Sequence, residues 1–243
     1  MDTISRTLII PEKSDPERDA VAAAWESCGG TVLRLGRFWD PPAVDRRSIR
    51  VYGNGSFCLV LEQKLDLALI SPADDLLTKL GFAFLGRRVA TTTTASMSGP
   101  FPAFVKSLIP KQIRSRLYLN GADLAVECEG LEPDTGLLVS EPIDIVAEAR
   151  SFIVDANVLD CALYEGSADL AAARAFAVTV ARESCVPKAV VLDVALLRDG
   201  RWVVIEFNAA WGAGLNGCDP MLVLPAIDAA TTTAEASDPG RAG

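Results

Sequence analysis

Ala189-Val-Val-Leu-Asp-Val-Ala-Leu-Leu197, then Arg198-Asp199-Gly200, then Arg201-Trp-Val-Val-Ile-Glu-Phe-Asn208 is the stretch on which the reading of this chain turns. Two apolar runs flank Asp199-Gly200, the strongest short-range signal for a tight hairpin. With Asp199 and Gly200 as the central residues of a type I′ turn, Arg198 pairs with Arg201, and counting back places Asp193 opposite Glu206. Period-2 alternation puts Asp193 on the face of Val191 and Ala195, and Glu206 on the face of Asn208. Asp193, Glu206 and Asn208 therefore cluster. Two carboxylates in that register repel unless positive charge lies between them. An all-oxygen donor set suits Mg²⁺ or Mn²⁺, and Mg²⁺ commonly shares such a site with nucleotide phosphates. The blander alternative leaves Glu206 in solvent and Asp193 as a satisfied core polar group. Against it, the apolar run around Asp193 is a costly place for an unpartnered charge.

Around the hairpin, the C-terminal part reads as antiparallel sheet plus helices. Phe104 to Lys106, Gly136 to Ser140, Glu148 to Val154 and Val158 to Tyr164 are strand-like, with a turn at Asp155-Ala156-Asn157. An Ala-rich helix is expected from about Ser167 to Glu183, a closing helix over Met221 to Ala230, and a flexible tail over 231–243. Upstream, strands at Thr7 to Ile10, Thr31 to Leu35, Ile49 to Tyr52 and Leu67 to Ile70 alternate with helical patterns. Those patterns open at Asp15-Pro16, Gly53-Asn54-Gly55 and Asp74. This β-α-β alternation predicts a small α/β lobe over 1–90 with a parallel sheet. Thr91 to Gly99 reads as a polar connector into the second unit, 91–230.

Composition narrows the function. The 243 residues carry a net charge of −9, so a nucleic-acid or anionic-membrane surface is disfavoured as the main partner. Half of the residues are apolar, as in an ordinary globular protein, and no apolar run reaches bilayer length. The six cysteines lie singly, with no Cys-x-x-Cys, which reads as buried thiols in a reducing cytoplasm. The polar start, Met1 to Arg6, lacks the pattern of a signal peptide. Most decisive is the absence of histidine. It excludes Ser-His-Asp and Cys-His nucleophile systems and His-ligated zinc, leaving carboxylates, lysines, arginines, backbone amides and a hard cation to do any chemistry.

Asp193, with Glu206-Phe-Asn208 thirteen residues on, resembles the metal-binding end of the ATP-grasp superfamily. Three further segments follow that resemblance in order. Phe104-Val-Lys106 is similar to the strand lysine that reaches the α/β-phosphates. Val139-Ser-Glu141-Pro-Ile143 is similar to the hinge that holds adenine. Glu148 lies seven residues past Glu141, where D-alanine–D-alanine ligase and its relatives place the carboxylate for the ribose hydroxyls. The short bacterial ATP-grasp domain-containing proteins are closer still. They share a Tyr-Gly like Tyr52-Gly53, a lysine pair like Lys106 and Lys111, and a strand like Glu148-x-Arg150-x-Phe152. They also share an ending like Glu206 to Pro220. The resemblance runs from about Val51 to Leu224. Two departures stand out: Ser107 replaces the proline that usually follows the strand lysine, and the only candidate Gly-rich phosphate lid, Leu119 to Asp123, has one glycine.

The resemblance implies an ATP-grasp fold of α/β and α+β parts: an N-terminal pre-ATP-grasp α/β lobe and two lobes clamping nucleotide. It implies ATP and Mg²⁺ (or Mn²⁺), with metal held by Asp193, Glu206 and Asn208. Nucleotide would be held by Lys106, Glu141, Ile143, Glu148 and Arg88. Arg150, on the strand face of Glu148, would project into the cleft to neutralise the transferring phosphoryl group or grip a carboxylate, and Lys111 would join it in catalysis. The implied reaction is ATP-dependent ligation of a small-molecule or peptide carboxylate to an amine or thiol through an acyl phosphate, releasing ADP and phosphate. A kinase of the same fold and a non-catalytic nucleotide-binding partner module are the alternatives. A homodimer is compatible with the sequence, which does not demand one.

Overall fold

A computed structural model describes residues 6–233. β1 (Thr7–Pro11), α1 (Pro16–Ser27), β2 (Thr31–Leu35) and β3 (Ile49–Val51) build a parallel sheet in the order β2-β1-β3. Helix α1 starts because Asp15 stays extended and its carboxylate accepts the Arg18 N–H, while Pro16 presets the first turn. It ends where Trp25 folds back, since a Cβ at Gly30 would lie 2.3 Å from the indole. α2 (Gly55–Leu65), capped by Asn54, buries Phe57, Cys58, Leu61 and Leu65.

β4 (Leu67–Leu69) does not join the parallel sheet as a β-α-β reading predicts; it pairs antiparallel with Thr231–Thr233. Those three threonines therefore belong to the folded body, not to the expected tail. Their β-branched side chains suit a strand, and the Thr231 hydroxyl accepts the Val51 N–H at 3.3 Å. Residues 234–243, the rest of the expected tail, lie outside the described residues. The helix expected over Asp74 to Leu80 is a single 3₁₀ turn, Leu76–Lys79, followed by the one-turn α3 (Phe82–Leu85).

β5 (Val89–Thr93), β6 (Ala103–Ser107), β7 (Arg116–Tyr118), α4 (Gly121–Glu127) and β8 (Gly136–Ser140) make up the next unit, an antiparallel sheet in the order β5-β8-β6-β7 with one helix. The boundary expected after residue 90 thus falls inside a strand, because Thr91, Thr92 and Thr93 pair with Leu138, Leu137 and Gly136. Threonine is polar in composition yet β-forming in shape, and the shape prevails. The expected lid, Leu119 to Asp123, is the start of α4, with the Asn120 side chain accepting the Asp123 N–H.

The largest sheet comprises β9 (Ile145–Val154), β10 (Asn157–Gly166), β11 (Ala189–Leu197) and β12 (Trp202–Asn208), in the order β10-β9-β11-β12, all antiparallel. α5 (Leu170–Val180) lies against one face, burying Ala173, Ala177 and Val180 in a cluster with Ile153, Val190, Leu192 and Val194. At one end of the opposite face, Phe152 and Val191 enter the core shared with α1 and α6 (Pro220–Ala229). β13 (Thr231–Thr233) closes the described chain. Among the described residues no helix is long and apolar enough to cross a membrane.

The β11–β12 hairpin reaches the expected pairing by a different route. Only Gly200 (φ 87) takes the left-handed conformation, whereas a type I′ turn needs it at both central residues. The Leu197 N–H donates to the Arg201 carbonyl at 2.8 Å, so the loop has three residues and the register near the turn is one step off. A bulge at Ile205 then restores it, leaving Asp193 opposite Glu206 and Val191 opposite Asn208.

Candidate active site

Asp193 is the centre of the site and is already charge-compensated. It is 3% exposed, inside a strand whose flanking residues are almost all aliphatic. Arg150 stands directly across on β9 and clasps it bidentately, Nε to Oδ1 at 2.8 Å and Nη2 to Oδ2 at 2.7 Å. The cation that a buried carboxylate needs is thus supplied by the protein itself. Burial alone would lower the Arg150 pKa, but the hydrogen bonds and charge of Asp193 outweigh it and hold the guanidinium above its usual value. The Asn208 amide donates to Asp193 Oδ2 at 3.1 Å. A carboxylate only accepts, so Asn208 must turn its NH₂ toward Asp193, leaving its own Oδ1 as an outward acceptor.

Arg150 ties this centre to the loop after β12. Its Nη1 donates to the Gly214 carbonyl at 2.8 Å. The N-terminal lobe holds the same loop: Glu17 accepts the Leu215 and Asn216 N–H groups, at 3.0 and 2.8 Å, and Tyr52 donates to the Ala213 carbonyl at 2.8 Å. A Cβ at Gly214 would come within 2.5 Å of the Glu17 carboxylate, so this crossing requires glycine. On the other side Tyr164 covers the Arg150 guanidinium, 5.9 Å from its ring centroid, and donates its hydroxyl to Glu148. Burial, then that hydrogen bond, drive the Tyr164 pKa upward.

Two cavities lie beside this centre. A smaller one, about 360 Å³, sits between the two antiparallel sheets. Phe104, Leu117 and Leu138 line it from one sheet, Ile145 and Ile205 from the other, and Glu141 to Ile143 from the connection between them. The larger, about 500 Å³, extends toward the N-terminal lobe and is lined by Lys106, Lys111, Glu206, Asn208 and Trp211 among others. Lys106 and Glu206 line both. They face each other across the cleft, Nζ to Oε1 4.0 Å. The Ile205 bulge delivers two consecutive residues, Ile205 and Glu206, to the smaller cavity.

The expected site residues are not all brought to these cavities. Lys106, Lys111, Glu141, Ile143, Glu206 and Asn208 line them. Glu148 lines neither, and its carboxylate is held by Tyr164. Arg150, expected free in the cleft, is committed to Asp193. Arg88 does not line the cavities either; its N–H donates to the Glu141 carboxylate at 2.8 Å, and its carbonyl accepts the Glu141 N–H. Its neighbour Arg87 takes the inward position. Arg87 is 6% exposed, with Nε on Ser140 Oγ at 2.7 Å and Nη1 on the Leu85 and Val204 carbonyls. No carboxylate is among these partners, and burial lowers its pKa to about 10. Two adjacent arginines look alike in sequence; only the strand pleat tells which points inward.

The loop between β6 and β7 occupies the place beside the strand lysine. Leu108, Pro110, Lys111 and Ser115 from it line the larger cavity, and Lys111 adopts φ 70, a conformation glycine takes more readily. A search for glycines therefore misses this loop. Trp211 and Ser115 also escaped the sequence reading, since neither residue type signals a site by itself.

Asp193, Glu206 and Asn208 fit a hard cation only in part. Both oxygens of Asp193 are engaged and buried, so the donors left open are the Glu206 carboxylate, 47% exposed, and the Asn208 Oδ1. One carboxylate and one amide oxygen suit Mg²⁺, which keeps several waters and completes its shell on phosphates.

A model of the ATP-grasp domain, for the second family of its clade, matches residues 84–226, more than half of the chain. The chain belongs to this family. Solved structures agree on the fold over nearly its full length. A RimK-domain ATP-grasp protein from Sphaerobacter thermophilus aligns at TM-score 0.63 and 14% identity, covering 92% of this ATP-grasp chain and 99% of the other. D-alanine–D-alanine ligase from Bacillus anthracis aligns at 0.55 and 12%, covering 93% and 97%. The ATP-grasp ligase PsnB, in complex with a phosphomimetic variant of a minimal precursor, Mg and ADP, aligns at 0.52 and 14%, covering 94% and 96%. No curated protein matches the chain in sequence. The three sheets are thus those of an ATP-grasp fold, with the cavities in the cleft between them.

Proposed function

We propose that this ATP-grasp protein is an ATP-dependent ligase that joins a carboxylic acid to an amine or thiol through an acyl phosphate. The observation that carries the reading is the meeting of Lys106, Glu206 and Asn208 where the two cavities join. Adenine would lie in the smaller, largely apolar cavity against Phe104, Leu117 and Ile205. Pro142 brings no N–H, so Ile143 is the next backbone donor of the hinge after Glu141. Arg87 and Lys106 would bind phosphate oxygens, and Glu206 with Asn208 Oδ1 would hold Mg²⁺, which screens phosphate charge. The PsnB complex, with Mg and ADP on the same fold, supports that assignment.

The chemistry needs positioning more than side-chain acid–base work. A carboxylate oxygen of the acid attacks the γ-phosphorus, and the bond to the β-phosphate oxygen breaks with its electron pair on ADP. The amine nitrogen then attacks the acyl carbon, phosphate departs with the C–O electron pair, and the amine proton passes to solvent. Lys106 and Lys111 offset negative charge along this path. Arg150 acts at one remove: it holds Asp193, which orients Asn208. One observation favours a second reading, a nucleotide-binding module without turnover: Asp193, a family metal position, is wholly engaged by Arg150 and Asn208.

Turnover with MgATP, pooled carboxylic acids and hydroxylamine separates these readings. Equal amounts of ADP, phosphate and hydroxamate support ligation. ADP with a stable phosphorylated product identifies a kinase. ATP binding without ADP release leaves the module.

A further inference from the structure

The larger cavity continues past the phosphate end into a region the nucleotide does not need. Its far side is built by the N-terminal lobe: Leu59 from α2, the Ser71 to Asp74 segment after β4, and Leu76 and Leu77. Trp211 forms another side, its indole N–H donating to Ser71 Oγ at 3.2 Å, which fixes the ring. Leu59 is 47% exposed although leucine gains from burial, and the surface it exposes lines this cavity.

Charge is as informative as shape. The charged side chains lining the cavity are Lys106, Lys111, Glu206 and Asp74. Lys106 stands against Glu206. Lys111 makes no ion pair among the described residues, and its left-handed backbone sets it on the loop over the cavity. Asp74 is exposed at the opposite end, where it would repel a second carboxylate. One free cation near the reacting end, an apolar middle and an acidic rim match a ligand with one carboxylate and an apolar body.

We infer that the acid activated by this protein is a monocarboxylic acid with an aliphatic or aryl body, its carboxylate beside Lys111 and its body against Leu59, Leu76, Leu77 and Trp211. The inference rests on the ligase reading and names its substrate class. The carboxylate oxygen forms the bond to the γ-phosphorus as the bond to ADP breaks. In the assay, hydroxylamine nitrogen displaces phosphate from the acyl carbon and gives a hydroxamate, so the natural nucleophile need not be known.

The test compares phenylacetate and hexanoate with succinate, glutamate and glycine in the hydroxamate assay. ATP affinity is measured separately by calorimetry in the parent and in Leu59→Asp, and the variant's melting point is checked first. The expected result is a KM at least tenfold lower for phenylacetate or hexanoate than for the polar acids. Leu59→Asp should raise that KM at least tenfold while ATP affinity stays within twofold. Equal or better use of dicarboxylates or amino acids overturns the inference, as does an unchanged KM in the variant. ATP binding with no hydroxamate from either apolar acid overturns it too. Absence of ATP binding in the parent overturns the ligase reading itself.

Discussion

The two sides of the cleft treat charge in opposite ways. On the large sheet, Arg150 and Asp193 are buried, mutually paired and further fixed by Asn208 and the Gly214 carbonyl. On the smaller sheet and its β6–β7 loop, Lys106 meets only an oxygen 4.0 Å away and Lys111 has no ion pair among the described residues. The first arrangement contributes to folding, because a buried ion pair cannot lose one partner cheaply. The second leaves positive charge for an anion that arrives with the ligand. One sheet is a finished frame and the other an open socket, and substitutions on the two sides should therefore separate stability from binding.

The largest effect should come from breaking the frame. Arg150→Ala leaves Asp193 buried without its cation and should cost about 3–5 kcal/mol of stability, read by urea unfolding. A loss under about 1 kcal/mol would erase the contrast. On the open side, Lys106→Met should leave the unfolding midpoint nearly unchanged. It should weaken ATP binding by about 1.5–3 kcal/mol, roughly 10- to 100-fold in Kd by calorimetry. An equal loss of stability in both variants would show that Lys106 also belongs to the frame.

Arg87 sharpens the comparison, since it is buried like Arg150 but lacks a carboxylate. Its pKa of about 10 lies below the ordinary 12.5 because burial disfavours the charge. The folded state therefore binds this proton less tightly than the unfolded state. The cost is fully present below pH 10 and shrinks as pH rises from about 10 toward 12.5. A bound phosphate would oppose that shift. ATP should thus stabilise the parent more than Arg87→Met at pH 8, by an additional difference of roughly tenfold in Kd.

The smallest effect belongs to exposed pairs. Asp144 and Asp199 have lowered pKa values, through hydrogen bonds from Arg198 and Arg201 respectively. Their contribution is present above the ordinary 3.8 and fades as pH falls through the lowered values. Asp144→Asn should slightly flatten the decline of melting temperature between pH 6 and 2.5, and a large change would contradict the surface role.

Strand order, the helix at Asp15-Pro16 and the opposition of Asp193 to Glu206 were legible because local capping and alternation determine them. The hairpin shows the limit of that logic. A turn one residue longer and a bulge one residue wide cancel, and neither is visible in an alternating pattern. The Arg150–Asp193 pair joins residues 43 apart, and its register depends on how two hairpins stack in one sheet. Sequence placed Arg150 on the right face but not in the grasp of Asp193. The choice between Arg87 and Arg88, and the membership of Thr231–Thr233 in the folded body, likewise depend on pairing with strands far along the chain.

Calorimetric titration of ATP into the parent protein and into Glu206→Gln, each with and without Mg²⁺, tests the account most directly. The account predicts Mg²⁺-dependent ATP binding in the parent, and binding in the variant that is weaker and nearly indifferent to Mg²⁺, with both proteins equally folded. At a hundredfold excess of ATP over its Kd, the parent should gain about 2.7 kcal/mol of stability, visible as a raised melting temperature. Absence of ATP binding in the folded parent, or the same Mg²⁺ dependence in parent and variant, would contradict it.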